Sequence, residues 1–251
     1  MLKKIIKEYI LRNKLFYFFY KYKKIYKNRG KGIYFGDYAE DVIVNRFFKN
    51  LKRGFYCDIG CFHPSKGSLT YLLYKRGWRG INIDLSKTSI DLFNIARRND
   101  INLNAGISNY NGYSNYYECA PHSPYNSLSS SKGFKKKKIE VYTLDAVINK
   151  FDIKNIDFLN IDAENNDYKV LLGINFENIR PKMICIEDNK FSFILIYKSK
   201  IYNYLKKENY FLFSVCGVSQ IYIDNKYKNQ LSKILDTRHS TNYFWAAKYR
   251  E

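Results

Sequence analysis

The chain has 251 residues, 46% of them hydrophobic and 18% aromatic, and a formal net charge of +20. That length and apolar content suffice for one large α/β domain with a sizeable core, and no apolar run reaches the roughly eighteen residues that a membrane span needs. The positive charge biases encounters toward anionic partners without naming one, because Lys, Asn, Ile and Tyr are abundant together, as a strongly AT-biased coding sequence would give.

Residues 1–30 read as a basic, aromatic-rich helical extension. Ile5, Ile6, Tyr9, Ile10, Leu15, Phe18, Phe19 and Tyr22 keep approximate helical spacing. Such a helix packs on the following domain, pairs with a second subunit, or lies on a membrane surface. It lacks the long apolar stretch and small-residue cleavage site of a signal peptide. Five scattered cysteines (Cys57, Cys61, Cys119, Cys185, Cys216) suit reduced thiols better than a disulfide framework or a zinc site. A cytoplasmic protein is expected, with membrane-peripheral contact or dimerisation left to residues 1–30.

From residue 31 to 251 the pattern is one domain. Phe55–Ile59 is a short apolar strand, followed by a helix over Ser68–Arg76 with Ser68 as its N-cap. Gly80–Asp84 is the second strand, Ser86–Arg98 the second helix and Ile101–Ile107 the third strand. Residues 108–138 read as a long site-facing loop or a short hairpin. A helix over Val141–Lys150, a fourth strand over Ile156–Ile161 and a helix from Asp167 to Leu172 follow. Met183–Ile186 is the fifth strand, Ile201–Glu208 a helix, and Phe211–Val215 and Tyr243–Tyr249 the last strands. Alternating strands and helices imply a parallel sheet wrapped by helices, with ligands beyond the carboxyl ends of its strands.

Acids stand at those ends. Asp58-Ile-Gly60 closes the first strand, and Gly60 lets the chain pass close to a ligand. Asp84 closes the second strand, where a carboxylate accepts both hydroxyls of a ribose. No GxGxxG or GxxxxGK[ST] loop is present to hold a pyrophosphate. Two such acids without a pyrophosphate loop suit an adenosine that carries positive charge, a description that S-adenosylmethionine meets.

Four blocks carry a family likeness: YAEDVIVNRFF (38–48), FYCDIGCFHPSKGSLTYLLYKRGWRGINID (55–84), NLNAGIS (102–108) with NSLS (126–129), and IDFLNIDAENNDYKVLLGINFENIRPKMICIED (156–188). In order and spacing they resemble the FkbM family of methyltransferases. The resemblance implies an α/β fold of the class I, Rossmann-like methyltransferase type, a doubly wound sheet, mostly parallel with an antiparallel last strand. It also implies S-adenosylmethionine as cofactor and a hydroxyl oxygen as the usual acceptor. Carried onto this chain, Asp58, Gly60, Ser68 and Asp84 become cofactor residues, Asn104 lies near the adenine, and Glu40 caps the cofactor's amino group. One departure is Asn165, where the family usually has Gly after the Glu of its DxEG motif; Asn tolerates left-handed backbone better than most residues.

Methyl transfer to a sugar hydroxyl needs alignment and a way to take the hydroxyl proton. His63, in the loop after the first strand, is one candidate, and Asp162 and Glu164 at the end of the fourth strand are others. Asp162, Glu187 and Asp188, at neighbouring strand ends, would suit a divalent cation such as Mg²⁺ or Mn²⁺ gripping adjacent hydroxyls. A metal-free site, in which the acids bind substrate or act as base, is the equal alternative. The expected substrate is a nucleotide-linked sugar or glycan of a bacterial capsule or surface polysaccharide. Nucleic acid is the less favoured acceptor: DAEN stands where amino-methylating enzymes carry an (N/D)PP(Y/F) turn. A non-catalytic S-adenosylmethionine-binding scaffold is the other alternative.

Overall fold

Period-2 alternation in the apolar strands sends side chains to two buried faces, and the core forms in two layers around one sheet. The computed structural model describes residues 34–231 apart from 131, with Leu15, Phe16 and Phe19. The residue 1–30 extension and the strand expected at 243–249 therefore lie outside the described residues, those three positions excepted.

In chain order the elements are α1 (Glu40–Phe47), β1 (Phe55–Ile59), α2 (Tyr71–Lys75), β2 (Arg79–Asp84), α3 (Lys87–Ala96), β3 (Ile101–Asn104), β4 (Gly106–Ile107), β5 (Gly112–Glu118) and β6 (Lys135–Tyr142). Then come α4 (Leu144–Lys150), β7 (Phe158–Ile161), α5 (Asp167–Leu172), β8 (Met183–Glu187), α6 (Lys200–Lys207), β9 (Tyr210–Cys216) and β10 (Ser219–Asp224). Seven strands form the main sheet in the order β3-β2-β1-β7-β8-β10-β9. Its pairings are parallel except for β10, which runs antiparallel between β8 and the edge strand β9. This is the Rossmann-like methyltransferase arrangement with its antiparallel last strand. Among the described residues no helix is long and apolar enough to cross a membrane.

On one face of the sheet Cys57, Ile59, Ile81, Ile83, Leu159, Ile161, Ile184 and Ile186 pack together. On the other, Tyr56, Phe158, Met183, Ile221 and Ile223 pack with Trp78 and Leu73. One row closer to the carboxyl edge that second face turns polar: Asp58 is level with Asn82 and Asn160. The switch from apolar to buried polar positions marks where the sheet stops serving the core.

Several boundaries differ from the sequence reading. The expected third strand is cut at Ala105, and its last residues leave for a second sheet, β4-β6-β5. Residues 108–138 hold β5 and the first half of β6, an antiparallel pair, so Val141 and Tyr142 are strand rather than helix. Lysines at 135–138 alternate outward there, a two-sided pattern that polarity alone hides. The sequence reading places no strand at β10, although Ile221, Tyr222 and Ile223 form a short β-prone run. The helix expected from Ser68 begins at Tyr71, and Ser68 does not cap it, because its hydroxyl is taken by a buried arginine.

That arginine, Arg97, is fully buried. Its guanidinium donates to the Pro64 carbonyl, to Ser68 Oγ at 2.8 Å and to Thr70 Oγ1 at 2.7 Å. Thr70 in turn donates to Asp58 at 2.6 Å. The rings of Phe93, Tyr74 and Tyr71 surround the charge, which favours a cation. Replacing Arg97 by Met would strip these acceptors of their donor, and we expect a loss of more than about 3 kcal/mol of unfolding free energy. Urea denaturation of R97M measures this; R97K, which lacks the planar fork, is expected to recover only a minor part, and wild-type stability in either variant would contradict the assignment.

Candidate active site

Strand register assembles the site. Ile59 pairs with Ile83 and Ile161, and Ile161 with Ile186. The next row at the carboxyl edge therefore reads Asp84, Gly60, Asp162, Glu187 across β2, β1, β7 and β8. Two cavities open onto this row. The first, of about 540 Å³, is lined by Gly60, Phe62, Asp84, Ile107, Asn126 and Asp162 among others. The second, of about 520 Å³, includes Glu40, Asp58, Gly60, Ser68, Asp162 and Glu187. Gly60 and Asp162 are common to both. Gly60 has φ +78°, and a Cβ there would stand 1.7 Å from the Asp162 carbonyl oxygen. Only glycine fits this crossing.

The two acids read first from the sequence thus fall in adjoining chambers. Asp84 accepts the backbone N–H of Phe62 at 2.8 Å and of Ser86 at 2.7 Å. Each oxygen keeps a free lone pair, so the group can receive a diol in a chamber whose other walls are mostly apolar. Asp58 accepts from Thr70 and from Asn160 Nδ2, the latter at 2.9 Å. Glu40 accepts the Tyr38 N–H and the Ser219 hydroxyl, the latter at 2.8 Å. With Ser68, these carboxylates make the second chamber acidic and suited to an ammonium group. Asn104 lines neither chamber; it is exposed and donates to the Asp84 and Leu85 carbonyls, holding the turn after β2.

His63 also lines neither chamber. Its Nδ1 accepts the N–H groups of Ser65 at 3.1 Å and Lys66 at 3.0 Å, which leaves the ring proton on Nε2. Partial burial, then the neighbouring His122, lowers its pKa. The ring organises its own loop. Asp188 is committed in the same way: its carboxylate accepts from Ser199 Oγ at 2.8 Å and the Lys190 N–H at 3.1 Å. The expected metal set Asp162, Glu187 and Asp188 is therefore not assembled. No group of three His, Cys, Asp or Glu among the described residues could hold a metal ion.

The remaining acids crowd together. Asp162 opens onto the crevice, yet protein surrounds it on its other sides. The side chain is exposed there; crowding by protein, then the charges of Glu187, Asp167 and Glu164, raises its pKa. Burial also raises Glu187, whose carboxyl is next to that of Asp162 along the strand edge. Glu187 Oε2 is buried with no hydrogen-bond partner among the described residues. Burial raises Glu164 to about 7 and Asp167 to about 6, with Glu187 adding to both. Asp84 is likewise raised to about 6. Glu164 and Asn165 both take left-handed backbone, φ 48° and 69°, so the Asn that replaces the family's Gly sits where left-handed tolerance is required. Ser127 Oγ ties this turn to the 119–130 loop through the Glu164 carbonyl, at 2.7 Å.

A third cavity, about 1340 Å³, lies on the far side of Glu187. Its lining includes Asp167, Glu187, Lys169, Lys190, Lys198 and Lys200. Glu187 is thus the wall between an acidic chamber and a lysine-rimmed one. The sequence reading missed this role, and it missed Asn160, Thr70 and Arg97. The SxT element contains Thr70, so that signal was local; Arg97 lies 33 residues from Pro64 and carries no local mark.

Because these acids titrate higher in the folded chain than in the unfolded one, the folded state holds more protons between roughly pH 4 and pH 7. Their contribution to stability is present at the acid end of this window and is lost as pH rises through it. Glu187→Gln removes the charge that Asp162, Glu164 and Asp167 share as a neighbour. Urea unfolding of E187Q is expected to match the parent near pH 4 and exceed it near pH 8. An equal deficit at both pH values would show that the carboxylate stabilises rather than strains the site.

The chain matches the methyltransferase FkbM domain over residues 58–212. No curated protein and no solved structure matches it. The matched segment holds Asp58, Gly60, Asp84, Asp162 and Glu187, and covers more than half of the sequence. The chain belongs to the FkbM methyltransferase family.

Proposed function

We propose that the protein is an S-adenosylmethionine-dependent O-methyltransferase acting on the hydroxyl of a nucleotide-linked sugar, in the cytoplasmic assembly of a bacterial capsule or surface polysaccharide. The observation that carries this reading is the run of three cavities along one strand edge, joined at Gly60 with Asp162 and then at Glu187.

The donor set fits the cofactor. Asp84 would hold the ribose diol, and Ile107 and Leu128, which line the same chamber, would offer apolar surface to the adenine. Asp58, Glu40 and Ser68 meet the amino-acid end, where clustered carboxylates favour its ammonium. Gly60 keeps the passage between the chambers free of a side chain. When bound, the sulfonium supplies an electrophilic methyl group with a good leaving group already attached. What remains for the chain is alignment and removal of the acceptor's proton.

Glu187 meets the second need. It borders both the acidic chamber and the lysine-rimmed cavity, and its Oε2, which is buried, has no hydrogen-bond partner among the described residues. Its raised pKa makes it a better proton acceptor than an ordinary carboxylate. Asp162, next to it along the strand edge, takes that proton on or holds it. Lys169, Lys190, Lys198 and Lys200 suit the phosphates of a nucleotide sugar, and none makes an ion pair among the described residues. Glu164 stands by as part of the same charge cluster.

Incubation with methyl-labelled cofactor should transfer label to a member of a UDP-, GDP- and dTDP-sugar panel and not to total RNA. E187Q is expected to lower kcat by about 100-fold or more while the cofactor Kd stays within about threefold by calorimetry. D84A is expected to weaken cofactor binding by about tenfold or more, the order of one lost charge-assisted hydrogen-bond pair. Label in RNA alone, or cofactor binding unchanged in D84A, would overturn the reading.

A further inference from the structure

Between β8 and α6 the chain leaves the sheet as the segment NKFSFILIYKSK, residues 189–200. Asp188 pins its base by accepting from Ser199 and from the Lys190 N–H. The Phe191 and Phe193 rings meet edge-on at 5.1 Å. Beyond that base the segment presents apolar side chains to solvent: Phe193 is 69% exposed, Ile194 87% and Tyr197 63%, with Leu195 also exposed. Contiguous exposure of this kind is uncommon on a soluble surface and marks an interaction site.

The charges around it narrow the partner. Lys190, Lys198 and Lys200 bracket the apolar run and are exposed, with no ion pair among the described residues. An apolar tip set in a ring of ammonium groups matches the layering of an anionic bilayer, with acyl chains below and phosphates above. Lysine stems reach such phosphates while keeping their heads in water. A second copy of the chain fits less well, since a two-fold contact would bring lysine ring against lysine ring.

We propose that residues 190–200 dock the protein on an anionic membrane surface, Phe193 and Ile194 entering the acyl boundary. Lys190, Leu195, Lys198 and Lys200 also line the lysine-rimmed cavity, so lipid phosphates and a nucleotide sugar compete for the same ammonium groups. The inference goes beyond methyl transfer and does not depend on it.

The full-length chain carrying Ile194→Trp tests it, with the parent as the baseline for the chain's two own tryptophans. In phosphatidylglycerol-containing vesicles with brominated acyl chains, the added tryptophan is expected to shift to the blue and lose at least half of its emission. Zwitterionic vesicles should produce much less. Phe193→Ser with Ile194→Ser should weaken association with the anionic vesicles by about a hundredfold, the scale of two apolar side chains losing their burial. An added tryptophan that stays unquenched in a chain that still sediments would place the contact elsewhere and overturn the proposal. So would a vesicle-independent dimer dispersed by the same double substitution, or no binding to either lipid.

Discussion

A buried guanidinium holds this site in shape. Arg97 sits at the end of α3, outside the carboxyl edge where the chambers open, yet its donors reach the Pro64 carbonyl, Ser68 and Thr70. A buried charge is tolerated only when its donors are satisfied and its field is answered. Here backbone and hydroxyl acceptors satisfy it, and four aromatic rings and the nearby Asp58 answer it. In return the loop between β1 and α2 cannot move without exposing that charge. Since Thr70 hydrogen-bonds Asp58, the first site acid inherits its position from a residue 39 positions downstream.

The second constraint is a row of register. Parallel pairing in step places Asp84, Gly60, Asp162 and Glu187 side by side, and sheet spacing then forces carboxylates into one another's field. Burial first, and like charge after it, raises several of the acids toward neutrality. A core would avoid that arrangement; a site for a cationic ligand benefits from it, because a bound positive charge relieves the repulsion. The polar row Asp58, Asn82 and Asn160 serves the same end beneath it, ending the apolar face where the ligand space begins.

Glu187 shows how position changes a residue's meaning. As the first half of a Glu-Asp pair it looked like one ligand of a metal. In the fold its neighbour Asp188 turns back to secure the following loop, and Glu187 remains at the wall between chambers with a buried oxygen that has no partner among the described residues. His63 underwent the opposite change. A loop histidine beside a proline suggested a base, but two backbone N–H groups occupy the nitrogen that would accept a proton.

The sequence by itself determined the strands of the main sheet other than β10, their acids and the family, because each is written locally: apolar runs, a terminal carboxylate, glycines at tight turns. It also located Asn165, whose left-handed backbone asks for a residue of its type. It could not show that residues 105–107 desert the main sheet, that β10 inserts between β8 and β9, or that Ser219 meets Glu40 across 179 positions. Nor could it tell which acids would be free and which spent on their own loops. Those outcomes depend on pairings between distant segments, and a side chain's hydrogen-bond partners, unlike its propensity, exist only once the tertiary structure has brought them within reach.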